Sequence, residues 1–228
     1  MAELVPLAED LWAAEHPLRF AGFLRMNARM TVARLSGGEL WVHSPIPIDD
    51  SMAAALAKLG RVAYLVAPNR FHNLYIGAAS ARYPEARVFA APRVEEKIPS
   101  VRIDEVLSAD PPAAWGGDVE TRLVEGAPMM SEVVFLHHAS RTLIVTDLLF
   151  NIEEPEGLVS RVVYAAMGTN GKLAMGREWP LIAKDRAALR ASVRAVAGLD
   201  FDRLIMAHGS VVAEGAKDRV SEALRSYL

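Results

Sequence analysis

The sequence contains no cysteine. This absence excludes disulfide bonds, thiolate metal sites and a cysteine nucleophile. Any metal ion bound by this chain would therefore be held by imidazole and carboxylate groups.

Long apolar runs and clusters of basic residues are also missing. No uninterrupted apolar run approaches the about 20 residues that a membrane-spanning helix needs. The acidic residues Glu3, Glu9 and Asp10 do not fit the basic-then-apolar pattern of a signal peptide. The net charge is −3, without a lysine and arginine cluster that would attract nucleic acid. We therefore expect a cytoplasmic protein with no membrane or nucleic-acid partner.

What is present is an ordinary globular composition with alternating strand and helix signals. The 228 residues, 52% hydrophobic and 23% charged, suffice for one sizeable domain. The strongest cluster of chain-breaking residues covers 108–118, where we place the seam between two halves of a single domain 1–228, about 1–110 and 118–228. Each half has strands first, then a helix and another strand. A strand–helix–strand unit predicts parallel neighbours and hence an α/β fold.

Apolar periodicity and turn residues predict the individual elements. The predicted strands are 11–14, 30–35, 40–43, 62–66, 87–91, 120–124, 132–137, 142–147 and 203–207. The predicted helices are 51–59, 74–83, 185–197 and 213–228. Asp49 or Asp50 is the predicted cap of the first helix. The stretch 153–180 is interrupted by glycines and is predicted to be less regular.

Three predicted strands end in residues that bind metals or act in catalysis. They are the strands at 62–66, 142–147 and 203–207. His72 lies in the polar loop after the first, and Asp147 and His208 stand at the ends of the other two. Functional side chains gather just past the carboxyl ends of strands in an α/β sheet. We therefore predict that His72, Asp147 and His208 converge on one cleft.

At this point the residues resemble a known fold family, the metallo-β-lactamase-like αββα sandwich, and more closely a subfamily of that fold of unknown function. The stretches that carry the resemblance are Leu40–Pro45, Val66–Asn69 with His72, Thr146–Asn151, Lys184–Arg186 and Ala207–Gly209. Together they span 40–209. The resemblance implies a four-layer α/β (α+β) sandwich.

The resemblance also implies a metal site, but a degenerate one. Hydrolases of this fold carry His-x-His-x-Asp-His in the loop that here reads Pro68-Asn69-Arg70-Phe71-His72-Asn73. A further histidine of the fold falls in turn 126–131, which has none here. Asp147 matches the bridging carboxylate and His208 the last histidine. The implied site is a single zinc, iron or manganese ion on His72, Asp147 and His208, or no ion at all.

Two functions follow from this site. In the first, the chain is a metal-assisted hydrolase of a small ester, thioester or lactone, with Asp147 and His208 as catalytic ligands and water as the nucleophile. In the second, the chain is a pseudo-enzyme that binds a ligand or an interaction partner without catalysis. Both functions place a small molecule in the cleft.

Asn69, Asn73 and His43 are predicted to support the ligands. An amide oxygen of Asn69 or Asn73 would bind the metal weakly or hold a water on it. Alternatively, Asn69 caps the helix 74–83. His43 is predicted to bond the loop 68–73.

Other polar residues have weaker claims to function. His137 and His138 adjoin a predicted hairpin turn, and we expect both to face solvent. Ser44 and Ser131 lack the surrounding sequence of a catalytic nucleophile.

The apolar residues between Ile152 and Leu181 are where specificity is predicted. They are Val162, Tyr164, Met167, Met175 and Trp179. Such a segment would be a lid over the cleft or the contact surface of a homodimer.

Overall fold

A computed structural model describes residues 2–22 and 24–228 of the protein. Seven strands form its larger sheet, in chain order. They are β1 (Val5–Ala8), β2 (Leu11–Phe20), β3 (Leu24–Arg34), β4 (Leu40–His43), β5 (Val62–Ala67), β6 (Arg87–Ala90) and β7 (Glu105–Val106). Strands β1 to β4 pair antiparallel, and β4 to β7 pair parallel. The predicted parallel pairing around 62–66 and 87–91 is confirmed.

The second half of the chain builds a four-stranded sheet and a two-stranded ribbon. The sheet has the order β13-β10-β9-β8, and the ribbon pairs β11 with β12. The strands are β8 (Val119–Leu123), β9 (Val133–His137), β10 (Thr142–Ile144), β11 (Phe150–Ile152), β12 (Lys172–Ala174) and β13 (Arg203–Ile205). Strands β10 and β13 are parallel neighbours.

Six helices complete the described structure. They are α1 (Asp50–Leu59), α2 (Ile76–Arg82), α3 (Gly157–Met167), α4 (Trp179–Ile182), α5 (Arg186–Gly198) and α6 (Ala216–Leu224). Asp49 caps α1 by accepting from the backbone N–H of Met52, which settles the choice between Asp49 and Asp50. Asp185 caps α5 in the same way. None of the helices in the described part of the chain has the length and hydropathy of a membrane span.

The two large sheets pack face to face with helices outside, which confirms the αββα sandwich. Strand β9 shows why, because its side chains alternate between two cores. Val133 and Phe135 point into the core shared with the seven-stranded sheet. Val134 and Leu136 point into a second core formed with α5 and α6. Both faces of this strand are therefore buried.

The sequence-based prediction was wrong for the stretch 153–180. This stretch contains α3 and β12 and leads directly into α4, so it is more regular than its glycines suggested. Strands β2 and β3 are also longer than predicted, since their ends pair with each other far beyond the apolar part of each sequence.

Candidate metal centre

The three predicted ligands lie together at one edge of the sandwich. Ile144 of β10 stands opposite Ile205 of β13 in parallel register, and Asp147 and His208 each follow three residues later. The loop after β5 brings His72 to the same place, held to the second half by a hydrogen bond from Val133 N to the Pro68 carbonyl. The predicted convergence is confirmed by the geometry.

The donor atoms of His72, Asp147 and His208 have the spacing that a metal ion requires. His72 Nε2 lies 3.2 Å from His208 Nε2, and Asp147 Oδ1 lies 3.6 Å and 3.4 Å from these two nitrogens. A tetrahedral zinc ion with bonds of about 2.0–2.1 Å holds its ligand atoms about 3.3–3.4 Å apart. This trio is the one group of three or more metal-capable side chains within residues 2–22 and 24–228.

His208 is fixed in the orientation of a ligand. Its Nδ1 lies 2.6 Å from the carbonyl oxygen of Asn27. Since a carbonyl can only accept, Nδ1 carries a proton, and in this tautomer the lone pair that could bind a metal is on Nε2. Ligating histidines commonly have their second nitrogen held in this way.

His72 is oriented by Ser44, a residue that the sequence gave no reason to choose. Ser44 Oγ lies 2.9 Å from His72 Nδ1. Ser44 follows β4 directly and has a φ of 50°, in the left-handed region that costs a residue with a Cβ roughly 1–2 kcal/mol. This backbone strain accompanies the placement of the hydroxyl beside the ring.

Asn69 supports Asp147 instead of offering an oxygen to a metal. Its Nδ2 donates to Asp147 Oδ2 at 2.7 Å and to Thr146 Oγ1 at 2.9 Å. Its Oδ1 accepts from the backbone N–H groups of Phe71 and His72. Both ends of the amide are therefore used, so the prediction of a metal-facing amide oxygen was wrong. The alternative cap role was also wrong, since Asn69 lies before α2 and orders the loop.

Burial and the facing histidines shift the pKa of Asp147 in opposite directions. Burial alone raises the pKa of the carboxyl group, but His72 and His208 lower that pKa well below its ordinary range. Asp147 is therefore a carboxylate at neutral pH, which is the protonation state of a metal ligand.

Glu132 is a buried carboxylate that sequence reasoning missed. It is 0% exposed and accepts hydrogen bonds from the backbone N–H groups of Thr146, Asp147 and Leu148. Burial and the nearby charge of Asp147 raise the pKa of Glu132 to about 7, and the three N–H groups oppose this rise. Glu132 thus organises the turn that presents Asp147. A lone glutamate at the start of an apolar strand is the signal that could have found it.

Arg29 and Gly209 fix the turn that presents His208. The guanidinium of Arg29, on β3, donates to the carbonyl oxygens of Met206 and Gly209. Gly209 has a φ of 87°, and a Cβ there would lie 2.2 Å from the carbonyl oxygen of Asn151. Only glycine fits this approach.

A cleft of about 360 Å³ opens above His72, Asp147 and His208. Val163, Met167 and Glu178 contribute to its lining, so the segment 152–181 does border the site, and Met167 is the member of the predicted set that does so. Trp179 was predicted to belong to a lid or a dimer contact, but it is 0% exposed and its Nε1 donates to the Asp147 carbonyl. The three side chains on the floor of the cleft are at most 11% exposed.

The prediction that His43 and Asn73 support the ligands was wrong. His43 is buried, stacks on Trp41, and has no hydrogen-bond partner for either ring nitrogen among the described residues. Burial, and to a smaller extent the nearby His72, lower the pKa of His43 to about 3. Asn73 Nδ2 is likewise buried without a partner among the described residues. Neither side chain bonds the loop 68–73 or the trio.

The prediction for His137 was also wrong, whereas His138 is exposed as expected. His137 is 1% exposed and its Nδ1 contacts Ser140 Oγ at 2.7 Å. The hairpin turn itself supplies this partner, which allows the ring to be buried.

The fold is that of the metallo-β-lactamases. The structure matches a metallo-beta-lactamase from Pontibacter korlensis with a TM-score of 0.65 at 12% identity, covering 100% of this chain and 99% of that one. It matches one from Erythrobacter litoralis with a TM-score of 0.68 at 16% identity, covering 99% and 96%. The mono-zinc form of FIM-1 from Pseudomonas aeruginosa gives a TM-score of 0.66 at 12% identity, covering 100% and 96%. At such identities the likeness shows the fold alone.

Within this fold, the chain belongs to the family described as Domain of unknown function (DUF4336), whose model matches residues 9–173. His72 and Asp147 lie inside the matched range, and His208 lies beyond it. No curated protein sequence matches the chain.

Proposed function

We propose that the protein is a hydrolase that holds one divalent metal ion, zinc by preference, and cleaves a small ester, thioester or lactone. The observation that carries the proposal is the spacing of 3.2–3.6 Å among His72 Nε2, His208 Nε2 and Asp147 Oδ1. Two imidazoles and one carboxylate are a ligand set found in catalytic zinc sites. When bound, such an ion supplies Lewis acidity that activates water and polarises a carbonyl group.

The residues of the chain have separate parts in this activity. Asp147 and His208 are the catalytic ligands, and His72 is the third ligand. Asn69, Ser44 and Glu132 hold those ligands in position through the hydrogen bonds described above. The cleft admits the substrate carbonyl to the floor. In the net reaction, the water oxygen bonds to the carbonyl carbon, the C–O or C–S bond breaks, and a proton passes to the leaving oxygen or sulfur.

The test is turnover by the full chain after loading with zinc. We expect hydrolysis of short esters, thioesters or lactones that depends on bound zinc and disappears in Asp147→Asn. An Asp200→Asn variant is a matched control, since the side chain of Asp200 is 84% exposed. Zinc retention without turnover on any of these substrate classes would overturn the proposal.

A second function is favoured by a separate observation, the loss of histidines from the site. His72 is the one histidine in loop 68–73, and turn 126–131 has none. The trio can also satisfy itself without an ion, because His72 and His208 are within hydrogen-bond distance of each other. We propose a non-catalytic ligand-binding protein as the alternative, which predicts ligand binding unaffected by a chelator.

A further inference from the structure

The walls of the cleft above the metal centre are apolar. The wall side chains include Leu24, Met26, Tyr75, Phe150, Val163 and Met167. The ionisable groups in the lining are His72, His208, the phenol of Tyr75 and the carboxyl groups of Asp147 and Glu178. No lysine or arginine lines the cleft within the described part of the chain.

This lining is unfavourable for an anionic ligand. Proteins bind carboxylate and phosphate groups mainly through arginine, lysine and oriented N–H donors. An anion that enters an apolar cleft without a lysine or arginine partner loses its hydration with little compensation. Here it would also approach the carboxyl groups of Asp147 and Glu178. The cleft therefore discriminates against substrates that carry a negative charge.

The apolar surface continues from the wall to the mouth of the cleft. Phe71, Leu74 and Met129 line the cleft and remain 40%, 63% and 45% exposed. A volume of about 360 Å³ is near the lower end of the about 300–1,000 Å³ that is typical of ligand pockets. A short alkyl chain would bury its surface against these side chains.

We infer that the substrate is an uncharged compound with an apolar acyl chain, and that the cleft selects against anionic analogues. This inference rests on the proposed hydrolase function, because the bound compound is a substrate only if the chain hydrolyses it. The selection itself is a property of the cleft wall and does not require catalysis.

The experiment measures ligand binding to the chelator-treated full chain, so that no anion can coordinate a metal. Methyl butanoate, methyl hexanoate, methyl octanoate and sodium octanoate displace the neutral fluorescent probe N-phenyl-1-naphthylamine at neutral pH. We expect affinity to rise about fourfold per added methylene group, which corresponds to about 0.8 kcal/mol. We expect octanoate to bind at least 10-fold more weakly than its methyl ester. Equal affinity across chain lengths, or octanoate binding as tightly as the ester, would overturn the inference.

A pair of lysine variants tests whether the cleft wall is responsible. Met129→Lys places a cation at the mouth, and Leu181→Lys places one on a residue that is 78% exposed and outside the lining. We expect Met129→Lys to improve octanoate relative to methyl octanoate about 10-fold, and Leu181→Lys to leave the ratio unchanged. If Met129→Lys is unfolded by thermal melting, Leu74→Lys takes its place with the same expectation. Equal ratios in all variants would contradict the role of the wall.

Turnover measured on the zinc-loaded chain separates this inference from the proposed function. Tight binding of long uncharged esters without hydrolysis would refute the hydrolase and leave the selectivity of the cleft intact. Hydrolysis that is fastest on anionic, short-chain esters would support the hydrolase and refute the selectivity.

Discussion

The floor of the cleft and the aromatic core around Trp41 each contain a buried histidine, and the two rings differ in their hydrogen bonding. His208, on the floor, donates from Nδ1 to the Asn27 carbonyl and turns Nε2 toward Asp147. His43 packs against the rings of Trp41 and Phe135, and neither of its nitrogens has a partner among the described residues. Burial alone therefore does not mark a functional histidine. The marker is one nitrogen fixed by an acceptor and the other facing further metal-capable groups.

The largest expected effect is on zinc affinity and comes from removing the carboxylate of Asp147, since the aromatic core around His43 has no such group among the described residues. Asp147→Asn should weaken zinc binding by more than about 100-fold, since loss of a supporting residue alone costs about 10–100-fold. Competition with a chelating dye measures the affinity, and Asp200→Asn is the control. Wild-type affinity in Asp147→Asn would exclude Asp147 as a ligand.

Glu132→Gln is expected to have the next largest effect, on stability. The amide would place an NH₂ group against backbone donors that now point at a carboxylate, at a cost of about 2–3 kcal/mol. Chemical denaturation of the metal-free chain measures this change in the free energy of unfolding. Glu125→Gln, at an exposed position of the same segment, should change stability by less than about 0.5 kcal/mol. A similar small change in both variants would show that Glu132 does not organise the Asp147 turn.

Ser44→Ala tests the support of His72. Losing the contact to His72 Nδ1 should lower zinc affinity about 10-fold with little change in thermal stability. Ser131→Ala is a matched control, because Ser131 also has a φ of 50°. If the two variants bind zinc alike, the hydroxyl of Ser44 does not position the ring.

His43→Phe should have the smallest effect at neutral pH, below about 1.5 kcal/mol, because an aromatic ring replaces one whose two buried nitrogens have no partner among the described residues. The difference should appear in acid. His43 has a folded pKa of about 3 against an ordinary value of 6.5, so only the unfolded chain takes up this proton between these values. That uptake removes stability as the pH falls from 6.5 toward 3. The variant should therefore unfold at lower pH than the wild type, as followed by circular dichroism. An unchanged acid midpoint would show that His43 is protonated without cost in the folded chain.

The sequence was sufficient to predict features that are encoded locally. A cap depends on a few adjacent residues, and Asp49 was one of the two predicted caps of α1. Asp147 and His208 were placed at strand ends, although β10 and β13 end three residues before them. The contacts between distant segments were not predictable in this way. Glu132 contacts the Asp147 turn 14–16 residues later, and Arg29 contacts Met206 across 177 residues. The position of Glu132 at the start of an apolar strand was a local signal, but the partners of Glu132 and Arg29 are set only when the sheets are assembled.

The same limit explains the errors over His43 and Asn69. Both residues follow or end a strand near the site, as the ligands do, and sequence position gave them equivalent claims. The register of β4 turns His43 toward Trp41 and Phe135, and the order of the loop after β5 turns both ends of the Asn69 amide inward.

Zinc stoichiometry tests the central claim most directly. The full chain, stripped with a strong chelator, is loaded with excess zinc, dialysed against a weak chelator and analysed for metal content. We expect one zinc per chain and not two, lost in Asp147→Asn, with a higher thermal midpoint when zinc is bound. Two equivalents would show that residues other than His72, Asp147 and His208 hold a second ion. No retained zinc and no thermal shift would contradict the metal centre and leave the ligand-binding alternative.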